Sequence, residues 1–172
     1  SFEQAGNYGI GLIVIDSFGR DTLCTPEAIK ILPGLTPDWS EDFDSGYFPP
    51  ENWLLLNPDR DLNWQWREVI GPDGTLSRAA VMHHSLLLQG GLDAMILPPI
   101  DLRKGESPML VVDVSYTRDT ARIADDILRI KASEDCGNSF PHVLYNKAGS
   151  ALSTFPDIDE FWNPTQAYHW RR

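Results

Sequence analysis

The chain has 172 residues, 42% of them apolar, and 25 acidic against 14 basic side chains give a net charge of -11. That balance argues against a nucleic-acid-binding surface or adhesion to anionic membrane, both of which need excess cationic charge. The length fits one domain with an extension, and no apolar run approaches the roughly 20 residues of a membrane-spanning helix.

The two cysteines, Cys24 and Cys136, lie far apart and outside any C-x-x-C pair, so neither a zinc site nor a redox motif is predicted. Reduced thiols in a cytoplasmic protein are expected, because no dense disulfide framework is present. No leader peptide is apparent, and a chain opening on Ser1 is consistent with a piece of a longer protein.

In chain order, residues 1–32 predict a short helical lead-in and a strand from Gly9 to Asp16. A tight turn at Ser17-Phe18-Gly19-Arg20, a second strand to Thr25 and a helix opened by Pro26 follow. Ile10, Leu12, Ile13, Val14 and Ile15 form a continuous, β-branched run that suits a buried strand. Thr25 is a good N-cap and Pro26 fits the first helical position.

From Pro33 to Asp61 five prolines forbid a long helix or a central strand. Short turns are expected at Thr36 to Trp39 and at Pro49 to Leu54. The segment is acidic, with seven carboxylates against one basic side chain. Trp53, Trp64 and Trp66 fall close together beside Leu54, Leu55, Leu56 and Leu62. They serve either as core or as a stacking surface for a flat ligand.

A hairpin is predicted over Trp64 to Val81, turning at Gly71-Pro72-Asp73-Gly74, where Pro fixes φ, Asp bonds locally and Gly takes the left-handed position. The next strand would run through His83 and His84. On a strand these two point to opposite faces, so they do not share one metal. DAMILPPIDL is an apolar run stopped by Pro98-Pro99, and Pro108 to Val114 reads as a second buried strand. Thr117 then caps a predicted amphipathic helix from Arg118 to Ile130, with Ile123, Ile127 and Ile130 on one face. Beyond Ala132 a further hairpin, HVLYN and ALSTF about Lys147-Ala148-Gly149-Ser150, precedes a polar, aromatic arm with a short helix at Asp157 to Trp162.

The order Phe2-Glu3-Gln4-Ala5, Gly9-Ile10, Asp16, Gly19-Arg20 and Thr25-Pro26-Glu27-Ala28 resembles the opening of a PAS domain. Asp113-Val114-Ser115 followed by Thr117-Arg118-Asp119 resembles the join between its last strand and exit helix. The resemblance covers roughly residues 1–130, leaving 131–172 as an extension. It implies an α+β fold, an antiparallel sheet flanked by short helices with a C-terminal amphipathic helix. The function it implies is sensory or interactive, within a signalling or transcriptional regulatory protein. A small ligand or partner would be held near Trp53, Trp64, Trp66, His83 and Met95, and Asp113, Ser115 and Thr117 would relay the change. Haem or flavin are the cofactors such a pocket takes, although no motif here indicates either, and homodimers are common among such domains. The alternative is a small α+β enzyme with His83 or His84 as general base and an acid from the Asp-rich stretch. No H-E-x-x-H, G-x-S-x-G or phosphate-loop pattern supports a particular chemistry.

Overall fold

The computed structural model describes residues 4–83, 90–104, 107–121, 125–158 and 162–172. The chain divides into two compact units, residues 1–39 with 98–106 and residues 40–97 with 107–172.

The first unit is built on a long antiparallel ribbon of β1 (Gly6–Asp16) and β2 (Gly19–Ile31). The expected turn forms because Asp16 Oδ1 accepts the Phe18 and Gly19 N–H groups at 2.8 and 2.9 Å. The helix expected from Pro26 does not form. Residues 26–31 instead continue the ladder, which shifts register between Tyr8 and Ile10, with Glu27 at φ 51° across from the shift. A bulge absorbs the extra residues of β2 and re-aims the strand, so the capping chemistry of Thr25-Pro26 goes unused. Downstream, Leu35 bridges Ile100 in parallel, through Leu35 N–H to Pro99 O at 2.7 Å and Asp101 N–H to Leu35 O at 2.8 Å.

Among the described residues the second unit holds three more antiparallel pairs. These are β3 (Leu54–Leu56) with β6 (Ala94–Ile96), β4 (Gln65–Ile70) with β5 (Leu76–Val81), and β7 (Ile127–Ala132) with β8 (His142–Ala148). The β4–β5 hairpin is the one expected. Asp73 accepts the Thr75 N–H and hydroxyl at 2.9 and 2.8 Å, and Gly74 takes φ 84°.

The α+β architecture is overturned. Among the described residues the helical elements are one turn at Gly149–Leu152 and 3-10 turns at Leu102–Lys104 and Ala167–His169. The exit helix expected over Arg118 to Ile130 is replaced at its end by β7, where Leu128, Ile130 and Ala132 alternate inward. An I-L-R-I-K-A run satisfies a period of two as well as a helical face, and cross-strand pairing with β8 decides it. The second expected hairpin also fails, because His142–Ala148 pairs with β7 and Gly149 opens a helical turn at φ 48°.

The expected buried strand at residues 108–114 joins no ladder. Met109 is 81% exposed, and only Val114 is bridged, to Arg171. The resemblance implies one antiparallel sheet, whereas among the described residues the sheet that holds β1 consists of β1 and β2. The expected passage through His84 into SLLLQ lies outside the described residues.

The core of the second unit is small and largely polar in its connections. Among the described residues Val69 and Leu152 are the buried large aliphatic side chains, and Thr117, His83 and His169 are buried as well. The C-terminal segment ties this unit together. Pro164 O accepts the Ile70 N–H at 3.0 Å, the Trp170 indole donates to Ile70 O at 2.7 Å, and Val114 and Arg171 exchange two bonds of 2.9 Å. Phe155, Trp162 and Tyr168 pack around the His169 ring with centroids 4.5–4.7 Å away.

Candidate metal centre

Sequence and topology converge at one end of the β3–β6 pair. The ladder runs Leu54 to Ile96, Leu55 to Met95 and Leu56 to Ala94. One further step of that register sets Asn57 opposite Asp93. The Asn57-Pro58-Asp59-Arg60-Asp61 turn then folds over this end of the ladder. The Asn57 amide donates to the Asp61 carbonyl at 2.9 Å and fixes the turn.

As a result one carboxylate oxygen from each of Asp59, Asp61 and Asp93 lies within 4.8 Å of the other two. Asp59 is exposed, whereas Asp61 and Asp93 are partly buried. Both Asp93 carboxylate oxygens and the Asn57 amide oxygen are shut off from solvent, and none has a hydrogen-bond donor among the described residues. Burial, and then the charges of Asp59 and Asp61, hold the Asp93 carboxyl above the usual carboxylate range. Like charges this close in a partly dry setting repel unless a proton or a cation neutralises them. The donor set is all oxygen, the set preferred by hard divalent cations.

The residues expected to line a ligand pocket have the following partners. Trp53 and Trp66 both meet Phe43, one by an edge contact at 5.9 Å and the other through an indole bond to Phe43 O at 2.8 Å. Arg78 covers the Trp66 ring at 4.4 Å. Trp53 and Trp66 spend aromatic area on packing and on a cation. The Trp64 indole N–H is buried with no acceptor among the described residues. His83 is 8% exposed at the end of β5, and Met95 sits mid-ladder opposite Leu55. His84 lies outside the described residues.

The three residues expected to relay a signal share one neighbourhood, but their partners are on the C-terminal segment. Asp113 accepts a bidentate Arg172 pair at 2.7 and 3.0 Å. Ser115 Oγ accepts the Trp162 indole at 2.9 Å, and the Thr117 hydroxyl donates to Pro156 O at 2.8 Å. Close by, the Tyr116 hydroxyl donates to Asp126 at 3.0 Å, and burial followed by that carboxylate raises its pKa above the ordinary phenol value.

The Asp59, Asp61 and Asp93 cluster was not among the expected site residues. Its local half is visible as the N-x-D-x-D alternation of residues 57–61. Its other half depends on which strand pairs with β3, and no local pattern encodes that.

No family model matches the chain, and no curated protein or solved structure matches it either. No helix among the described residues is long and apolar enough to cross a membrane.

Proposed function

We propose that the second unit is a calcium-binding module, with Asp59, Asp61 and Asp93 supplying carboxylate ligands and the Asn57 amide oxygen adjoining them. The observation that carries this reading is the Asp93 carboxylate, buried, undonated and within 4.8 Å of two others. A divalent cation supplies the charge these groups lack. It also cross-links the turn after β3 to the residue before β6, holding a ladder of only three residue pairs closed. Calcium is favoured over magnesium because the ligands come from a turn and a strand end. Calcium accepts irregular sets of 6–8 oxygens at about 2.3–2.6 Å, whereas magnesium demands a near-octahedral shell.

The role is therefore conditional stability, with the module fully fastened where calcium is abundant. Calorimetric titration of the full chain tests this directly. One calcium per chain is expected, with binding abolished in the Asp59→Asn, Asp61→Asn double variant. Equal heats from wild type and variant would refute the assignment. No observation favours a sensory relay or a histidine-based enzyme over this reading.

A further inference from the structure

Asp59, Asp61 and Asp93 each bring a carboxylate oxygen within 4.8 Å of the other two. Calcium takes about 6–8 oxygens, so single oxygens from three groups leave much of its shell open. Asn57 belongs to the same turn and carries no charge. The β3–β6 ladder ends with Leu56 opposite Ala94, and one more step of its register sets Asn57 opposite Asp93. The Asn57 side chain also reaches Asp61, whose carbonyl accepts from its amide nitrogen at 2.9 Å. Asn57 is thus tied to one carboxylate residue by the ladder and to another by a hydrogen bond.

The orientation of the amide follows from its chemistry. A main-chain carbonyl only accepts, so the end of the amide that faces it must be the nitrogen, and the oxygen points the other way. That oxygen is shut off from solvent and has no hydrogen-bond donor among the described residues. Both Asp93 carboxylate oxygens are in the same condition. A buried acceptor that has given up its hydration without gaining a donor is costly, and a bound cation removes the cost.

We infer that Asn57 is the specificity-determining residue of this site, with its amide oxygen the fourth protein ligand and the one that sets the preference for calcium over magnesium. The inference rests on the calcium reading above. Its physical basis is dehydration. Magnesium gives up water reluctantly and is commonly held by one or two carboxylates with several waters retained, so it gains little from a buried amide oxygen. Calcium exchanges water for protein oxygen readily and accepts the irregular positions that a turn and a strand end supply. The amide also adds an oxygen without adding charge. A fourth carboxylate there would sharpen the repulsion in the empty site and would lose the nitrogen that holds the Asp61 carbonyl.

Calorimetric titration of the full chain with calcium, and separately with magnesium, tests the inference in wild type and Asn57→Ala. Calcium affinity should fall by at least about tenfold and magnesium affinity by much less, so discrimination between the ions narrows. A residue that merely held the turn would weaken both ions alike. Terbium luminescence lifetimes in light and heavy water count the waters on the bound ion. Asn57→Ala should add one water, and Asn57→Asp, which returns an oxygen, should remove it again. A measurement on the unsubstituted chain covers the case of a variant that fails to fold: calcium, but not magnesium, should shift the Asn57 side-chain carbonyl carbon resonance. Equal losses for the two ions, an unchanged water count, or an Asn57 resonance unmoved by bound calcium would each overturn the inference while leaving the three-carboxylate site standing. A wild-type chain that takes up neither ion would overturn the calcium reading itself.

Discussion

The substitution Asp93→Asn separates the calcium account from an ordinary structural role, because its effect should reverse sign with the cation. Carboxylate oxygens at 4.8 Å, the outer limit of the cluster, repel by about 3.5 kcal/mol at an effective dielectric of 20. Water at the exposed Asp59 side screens much of this, leaving roughly 1–2 kcal/mol of strain between Asp93 and its neighbours. Asparagine removes that charge, keeps the shape and adds an amide donor toward the remaining carboxylates. In excess chelator at pH 7 the variant should therefore melt about 2–8 °C above wild type, at 2–4 °C per kcal/mol for a chain of this size. At a calcium concentration 100 times the dissociation constant, wild type gains about 2.7 kcal/mol. The variant, with one ligand charge gone, gains little, so wild type should melt higher. Paired thermal melts by near-ultraviolet circular dichroism, with chelator and with calcium, read the crossover. A variant destabilised equally in both buffers would refute the reasoning, because Asp93 would then be a satisfied structural carboxylate.

Three further outcomes follow from named contacts. The Asp93 carboxyl has a raised folded-state pKa, so its protonated form stabilises the calcium-free chain below the unfolded value of about 3.9, and that contribution is lost as pH rises through the folded value. Asp135 and Asp73 have lowered pKa values, held first by the Ser139 hydroxyl and the Thr75 amide respectively. Their contribution is present above the unfolded value and lost as pH falls through the folded one, so it occupies the opposite side of that window. Subtracting Asp93→Asn urea midpoints from wild type between pH 4 and 7 should isolate the first trend, and calcium should reverse it, because the cation binds the deprotonated carboxylate.

Gly149→Ala should cost about 1–3 kcal/mol, because Gly149 sits at φ 48° and a Cβ there would meet the Asp125 carboxylate. Urea denaturation reads the loss, and a neutral result would show that the turn after β8 relaxes freely. Trp170→Phe removes the indole bond to Ile70 O and should cost about 1–3 kcal/mol. Native-state hydrogen exchange should show faster opening at the Ile70 and Val114 amides, both of which bond the C-terminal segment.

What was legible in the sequence was local chemistry. The Pro-Asp-Gly turn and the Asp16-to-Gly19 turn form where residue types specify them, because each rests on bonds within a few residues. The β-branched run of β1 correctly signalled a strand. Composition says nothing about which faces become covered, however, and Ile10 to Ile15 remain open rather than buried. The region from Arg118 to Ile130 reads as helical from its isoleucine spacing, but the alternation of Leu128, Ile130 and Ala132 equally fits a strand at Ile127–Ala132. Pairing with β8, which no local rule predicts, tips the balance. The carboxylate cluster was half visible for the same reason: residues 57–61 carry their spacing in sequence, while Asp93 arrives only through the β3–β6 register.

The most direct measurement is an anomalous difference map from crystals of the full chain grown with terbium, a luminescent and strongly scattering calcium mimic. The account predicts one peak at about 2.3–2.6 Å from carboxylate oxygens of Asp59, Asp61 and Asp93, removed by soaking in excess calcium. A map without density there, or with terbium bound only at other acidic surfaces, would contradict it.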